Sequence, residues 1–154
     1  MKLSIKRKEV PFIVSGLSQV KGMKDFTKAI SLGRDSRVLK GIQDDTEEAI
    51  KKCKPDNYDE LLDELNDLKR KKAQEIAMKE GEVVNDNVIN THVLLTWENG
   101  KDWLKCNKEY NQAAEAISNE IVVVDVHTEL TEKDFPKSAE DVSVAEVLSY
   151  FLKE

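Results

Sequence analysis

The two segments of this chain that read as β-strand lie at its opposite ends, and that separation most constrains the fold. Ile121–Val126 is β-branched and continuous, the composition of a strand. Residues 2–7, Lys-Leu-Ser-Ile-Lys-Arg, alternate polar and apolar and place Leu3 and Ile5 on one face. The simplest sheet pairs residues 2–7 with residues 120–127, antiparallel, and joins the two ends. Two strands alone are marginal, so either helices cover them or a second copy extends the sheet. In the second case Leu3, Ile5, Val122 and Val124 are the expected interface residues. The expected class is α+β, mostly α: a helical bundle with this small sheet, as a single domain over residues 1–154.

The stretch between the strands has helical spacing. Val10, Ile13, Val14, Leu17 and Val20 recur at three and four residues, with Pro11 suited to a first turn and Gly22 to a stop. A second helix is expected from about Asp25 to Cys53, with Asp25 as cap and Phe26, Ala29, Ile30, Leu39, Ile42, Ala49 and Ile50 as its stripe. Gly33 and Arg34-Asp35-Ser36-Arg37 interrupt that stripe, so one helix or two at an angle both fit. Lys54-Pro55-Asp56-Asn57 is the clearest break, and the next helix runs from Tyr58 to about Glu80. Residues 83–90 read as a connection or a helix start. Another helical region spans about Val93 to Ser118, with Asn99-Gly100 as a candidate break and Trp97 and Trp103 as core anchors. Ser138 and Asp141 form a capping pair before a last helix carrying Val144, Val147, Leu148, Phe151 and Leu152.

Charge is split along the chain. Residues 1–43 carry ten Lys and Arg against Glu9, Asp25 and Asp35, a balance of +7, while the whole chain sums to −6. The remainder therefore carries −13. Pairing of the basic end with the acidic body, within one subunit or between two, is the simplest account of that asymmetry. Nucleic acid is a poor fit, because the acidic body repels a polyanion and the basic stretch holds only Phe12 and Phe26 as aromatics. Arg34 and Arg37 are the candidate patch for a small anionic ligand or a partner. Nothing approaches the ~18 apolar residues of a membrane span, and no secretory pattern opens the chain. Cys53 and Cys106, outside any paired motif, fit a reducing compartment.

No constellation proposes a reaction. Asp125, His127 and Glu129 fall on one face of a continued strand and could gather ligands for a divalent ion, but a polar strand face explains them as well. Cys106 and His127 are a conceivable nucleophile and base that nothing local positions. Phosphate-cradling glycine loops and a nucleophile elbow are absent from the sequence. The chain therefore reads as non-enzymatic, with no catalytic residue, cofactor or metal assigned.

The order of its parts is familiar. Lys2 to Lys52 reads as a strand, an apolar helix, the Arg34-Asp35-Ser36-Arg37 step and a charged helix ending Glu47-Glu48-Ala49-Ile50-Lys51-Lys52. The finish reads Glu109-Tyr110-Asn111, then Asn119 through His127, an acidic loop with Phe135-Pro136 and an apolar helix. This resembles a group of small proteins encoded by tailed bacteriophages of Gram-positive hosts, over the first and last thirds only; about Pro55 to Lys105 lies outside the resemblance. The resemblance implies a phage product working in the host cytoplasm or within the virion. The expected function is then a homo-oligomeric protein-interaction protein in particle assembly or a virion accessory role. The alternative is an inhibitor of a host antiviral defence, binding a host protein or sequestering a signalling nucleotide.

Overall fold

A computed structural model describes residues 1–80 and 85–153. Its order is β1 (Lys2–Lys6), α1 (Val10–Ser18), α2 (Phe26–Lys52), α3 (Tyr58–Glu80), α4 (Asp86–Thr96), α5 (Gly100–Ser118), β2 (Ile121–Asp125) and α6 (Val142–Ser149). The fold is α+β and mostly helical, with six helices and one two-stranded antiparallel sheet among the described residues. The chain divides into two compact units, Met1–Lys52 with Glu115–Glu154, and Cys53–Ala114. The segment outside the phage resemblance falls inside the second.

The first unit is built around the sheet. β1 pairs β2 with Lys2 opposite Asp125, Leu3 opposite Val124, Ser4 opposite Val123, Ile5 opposite Val122 and Lys6 opposite Ile121. Alternation turns Leu3, Ile5 and Val124 inward, where they meet Val10 and Ile13 of α1, Leu39 of α2, and Val147 and Leu148 of α6. Phe151, Leu130 and Val126 complete this core, all essentially inaccessible. Each such side chain removes apolar area worth roughly 1.5–3 kcal/mol. Packing between α1 and α6 is close enough that a Cβ at Gly16 would collide with the Val147 side chain, so the crossing requires glycine there.

Several expectations shift in detail. α2 is one uninterrupted helix, capped by Asp25, whose Oδ1 accepts from the backbone N–H of Thr27 at 2.9 Å. Its buried positions are Leu32, Asp35, Leu39 and Thr46, while Phe26 and Ile30 are exposed. The stripe therefore runs through the supposed interruption, and Phe26 and Ile30 lie off it. α1 ends at Ser18, before Gly22, which takes φ +76° in the turn that follows. Asp141 caps α6 alone, accepting from the Ser143 N–H at 2.9 Å. Ser138 instead bonds the backbone of Lys21, accepting from its N–H at 3.2 Å and donating to its carbonyl at 3.0 Å. α6 stops at Ser149, and Leu152 forms a parallel bridge with Leu130.

The second unit packs α3, α4 and the first turns of α5 around Leu61, Leu65, Ile89, Val93, Trp103 and Cys106. Its helices divide at Trp97, with Asn85 capping α4 through an Oδ1 that accepts from the Asn87 N–H at 2.8 Å. Residues 83 and 84, part of the stretch read either way from the sequence, lie outside the described residues. Trp103 is a core anchor beside Tyr58, with ring centroids 5.2 Å apart, while Trp97 is only partly buried and donates Nε1–H to Glu64 at 2.8 Å.

The charge split is met largely inside the first unit. Residues 115–154 carry ten acids against three lysines, a balance of −7 that matches the +7 of residues 1–43. Among the described residues two ion pairs join these segments: Lys28 to Asp134 at 2.6 Å and Arg7 to Glu120 at 3.4 Å. Asp134 Oδ2 also accepts from the Thr131 N–H at 2.7 Å and its hydroxyl at 2.8 Å. The Lys28 ammonium first, and the two Thr131 donors next, hold the Asp134 carboxyl down to about 2. A carboxyl lowered in the folded state adds stability above its unfolded value, near pH 4, and loses it as pH falls toward about 2. Asp134→Asn should therefore lower the melting temperature at neutral pH, and its deficit against wild type should shrink through that window and vanish at its acid end.

Candidate functional site

The candidate site is the solvent side of the β1–β2 sheet with the edge of β2. Lys2, Ser4 and Lys6 project outward from β1, and Ile121, Val123 and Asp125 from β2. Ile121 and Val123 are 64% and 62% exposed, so two β-branched apolar side chains stand in water on adjacent outward positions. The backbone ladder has a definite parity. Arg7 N–H donates to the Glu120 carbonyl at 3.0 Å and Val126 N–H to the Met1 carbonyl at 2.9 Å. Bonded pairs recur every second residue in an antiparallel ladder, so Leu3–Val124 and Ile5–Val122 are the bonded pairs between those ends. The N–H and C=O groups of Ile121, Val123 and Asp125 consequently face away from β1, along an open edge.

That edge is closed at one end by an unexpected residue. Asp35 of α2 is 1% exposed, and its two oxygens accept from the His127 N–H at 3.0 and 3.1 Å. Its Oδ2 also takes the Thr128 N–H at 2.9 Å. His127 has the same parity as Val123 and Asp125, so the carboxylate occupies the next outward donor of the edge. β1 is treated likewise: Glu9 Oε2 accepts the Lys6 N–H at 2.7 Å. A second polar residue of α2, Thr46, accepts from Arg7 Nη1 at 3.1 Å while donating to the Ile42 carbonyl at 2.7 Å. The inner face of α2 thus fastens both strands through side-chain bonds.

Asp35 is missed by the sequence reading because a charged residue inside Arg34-Asp35-Ser36-Arg37 looks like an interruption. The available signal is its spacing, three after Leu32 and four before Leu39, which puts it on the buried stripe. The other expected residues fall as follows. Leu3, Ile5 and Val124 are buried and Val122 partly so, all four together against the unit's own helices. A partner meeting this sheet would meet its outer face or its edges. Arg34 and Arg37, one turn apart on α2, are exposed and have no side-chain hydrogen bond or ion pair among the described residues.

Asp125, His127 and Glu129 are exposed on alternate positions, and Glu129 pairs with Lys153 at 3.2 Å. No group of three His, Cys, Asp or Glu poised for a metal occurs among the described residues. Cys106 is buried in the second unit, with its thiol pushed up by burial first and by Glu109 next; Cys53 is exposed, and both are free. No helix of the described residues is long and apolar enough to cross a membrane. No family model, curated protein or solved structure matches the chain.

Removing Asp35 would orphan two backbone donors, one of them fully buried, at about 1–3 kcal/mol each. Asp35→Ala should accordingly lower the unfolding free energy by roughly 2–5 kcal/mol in a urea titration. Thr128 presents the opposite case, since its Oγ1 is buried without a hydrogen-bond partner among the described residues. Thr128→Val keeps the shape, removes that unmet hydroxyl and should raise stability by about 1 kcal/mol on the same assay.

Proposed function

We propose that this chain is a non-enzymatic, self-associating interaction protein of the kind tailed phages encode, serving particle assembly or a virion accessory role in the host cell. The observation that carries this is the solvent side of the β1–β2 sheet, where Ile121 and Val123 stand exposed beside unpaired strand backbone. Apolar area in water is worth about 25 cal/mol per Å² when covered, and a bare strand edge templates pairing with another chain. The phage assignment is supported by the resemblance of the first and last thirds, which together supply the sheet and its surrounding helices.

A second reading, an inhibitor of host antiviral defence, is favoured by Arg34 and Arg37. Their guanidinium groups are exposed and uncommitted on one face of α2, suited to an anionic partner surface or a sequestered signalling nucleotide. One measurement separates the two. Light scattering of the untagged protein should give a discrete oligomer with the ultraviolet spectrum of protein alone. A monomer that carries nucleotide-type absorbance, lost in the Arg34→Ala/Arg37→Ala variant, would select the second reading instead.

A further inference from the structure

We propose that the open edge of β2 pairs with the same edge of a second copy, antiparallel about a twofold axis at Val123, to form a continuous four-stranded sheet ordered β1-β2-β2-β1. This rests on the self-associating reading above and supplies its surface and register.

The edge itself dictates the register. It offers three outward residues, Ile121, Val123 and Asp125, before Asp35 takes the next donor at His127. A twofold pairing that uses all three must place its axis at the middle one. Val123 then faces the second copy's Val123, and each Ile121 faces the other copy's Asp125. Each bonded pair exchanges two hydrogen bonds, so the junction gains about six. On the outer face the Ile121 and Val123 side chains of both copies meet as one apolar patch. Each Asp125 keeps its own Lys2 as cross-strand neighbour, and no two like charges become opposed.

The β1 edge excludes the equivalent arrangement. Self-pairing about Ser4 would set Lys2 directly opposite Lys6 twice, and like charges opposed across strands are destabilising. Its Lys6 donor is already held by Glu9. Lysines and a carboxylate plug guard that edge, in the manner of strands that avoid association. β2 has exposed β-branched residues at two of its three outward positions, and its one charge, Asp125, faces an isoleucine in the twofold register. A head-to-tail junction of β1 on β2 would leave a free edge at each end and propagate as a filament rather than close.

The test is the solution mass of edge variants. Val123→Pro deletes one outward N–H and leaves the ladder bonds of Val122 and Val124 to β1 intact, a position where a strand tolerates proline. It should raise the dissociation constant at least tenfold and run as a monomer where wild type is a dimer, with an unchanged circular dichroism spectrum. Val123→Lys, which alters only an exposed side chain, should do the same and stands in if the proline variant misfolds. Ser4→Pro should remain a dimer.

In a Cys53→Ser background, Val123→Cys should cross-link to itself under mild oxidation. Ile121→Cys should not, since its two copies would lie roughly 14 Å apart. Dimers that persist in both Val123 variants would overturn the edge pairing while leaving self-association intact. Loss of the dimer in Ser4→Pro would replace the twofold junction with a head-to-tail one. A wild-type protein that stays monomeric at every concentration would overturn both this inference and the reading on which it rests.

Discussion

A carboxylate buried among aliphatic side chains must find donors, and Asp35 finds the backbone of His127 and Thr128 just past β2. Much of the first unit depends on that contact. It ties the longest helix of the unit to the exit of its better strand and sets the direction in which the chain leaves the sheet. With that direction set, Val126 and Leu130 enter the core on alternate positions. Leu130 then accepts and donates along the segment after α6, taking the Lys153 N–H at 2.9 Å and giving its own to Phe151 at 2.7 Å. A hydrophobic contact in the same place would hold the helix and strand together without fixing which backbone groups meet. The carboxylate makes that choice because hydrogen bonds are directional and its oxygens meet the N–H groups of His127 and Thr128.

The same contact shapes the surface. By occupying the outward donor of His127 it shortens the open edge to three residues, and Glu9 shortens the other edge at Lys6. One edge is left with two lysines and a serine, the other with isoleucine and valine and a single aspartate at its end. A two-stranded sheet has no interior strand, so every choice at its edges is also a choice about association. The basic and acidic thirds belong to this arrangement. Their opposite charges meet within the first unit, through Lys28–Asp134 and Arg7–Glu120, and leave Arg34 and Arg37 exposed on α2.

Much of the architecture was legible because local rules agreed with the final packing. Pro55 and the polar residues around it mark the start of α3 at Tyr58, and Leu61, Leu62, Leu65 and Leu68, followed only by Ile76, give it an apolar face. Leu3 and Ile5 alternate, and Ile121–Val124 are β-branched, so both strands and their pairing could be expected. The misreadings share one cause. By residue type Asp35 reads as an interruption and Ser138 as a cap, whereas each is bonded to a segment remote in sequence. Asp35 and its two backbone donors are 92 and 93 residues apart, and Ser138 and Lys21 are 117 apart. No periodicity spans such distances.

Sequence by itself determined the elements of this protein, the sheet that joins its two outer thirds, and the opposed charges that those thirds carry. These follow from side-chain chemistry read over a few residues at a time. Tertiary structure alone decided that Asp35 is a buried clamp, that Leu3, Ile5 and Val124 are committed to the core, and that β2 has the open apolar edge. The reason is physical: hydrogen-bond parity and burial are properties of a register, and a register exists only once two distant strands have met.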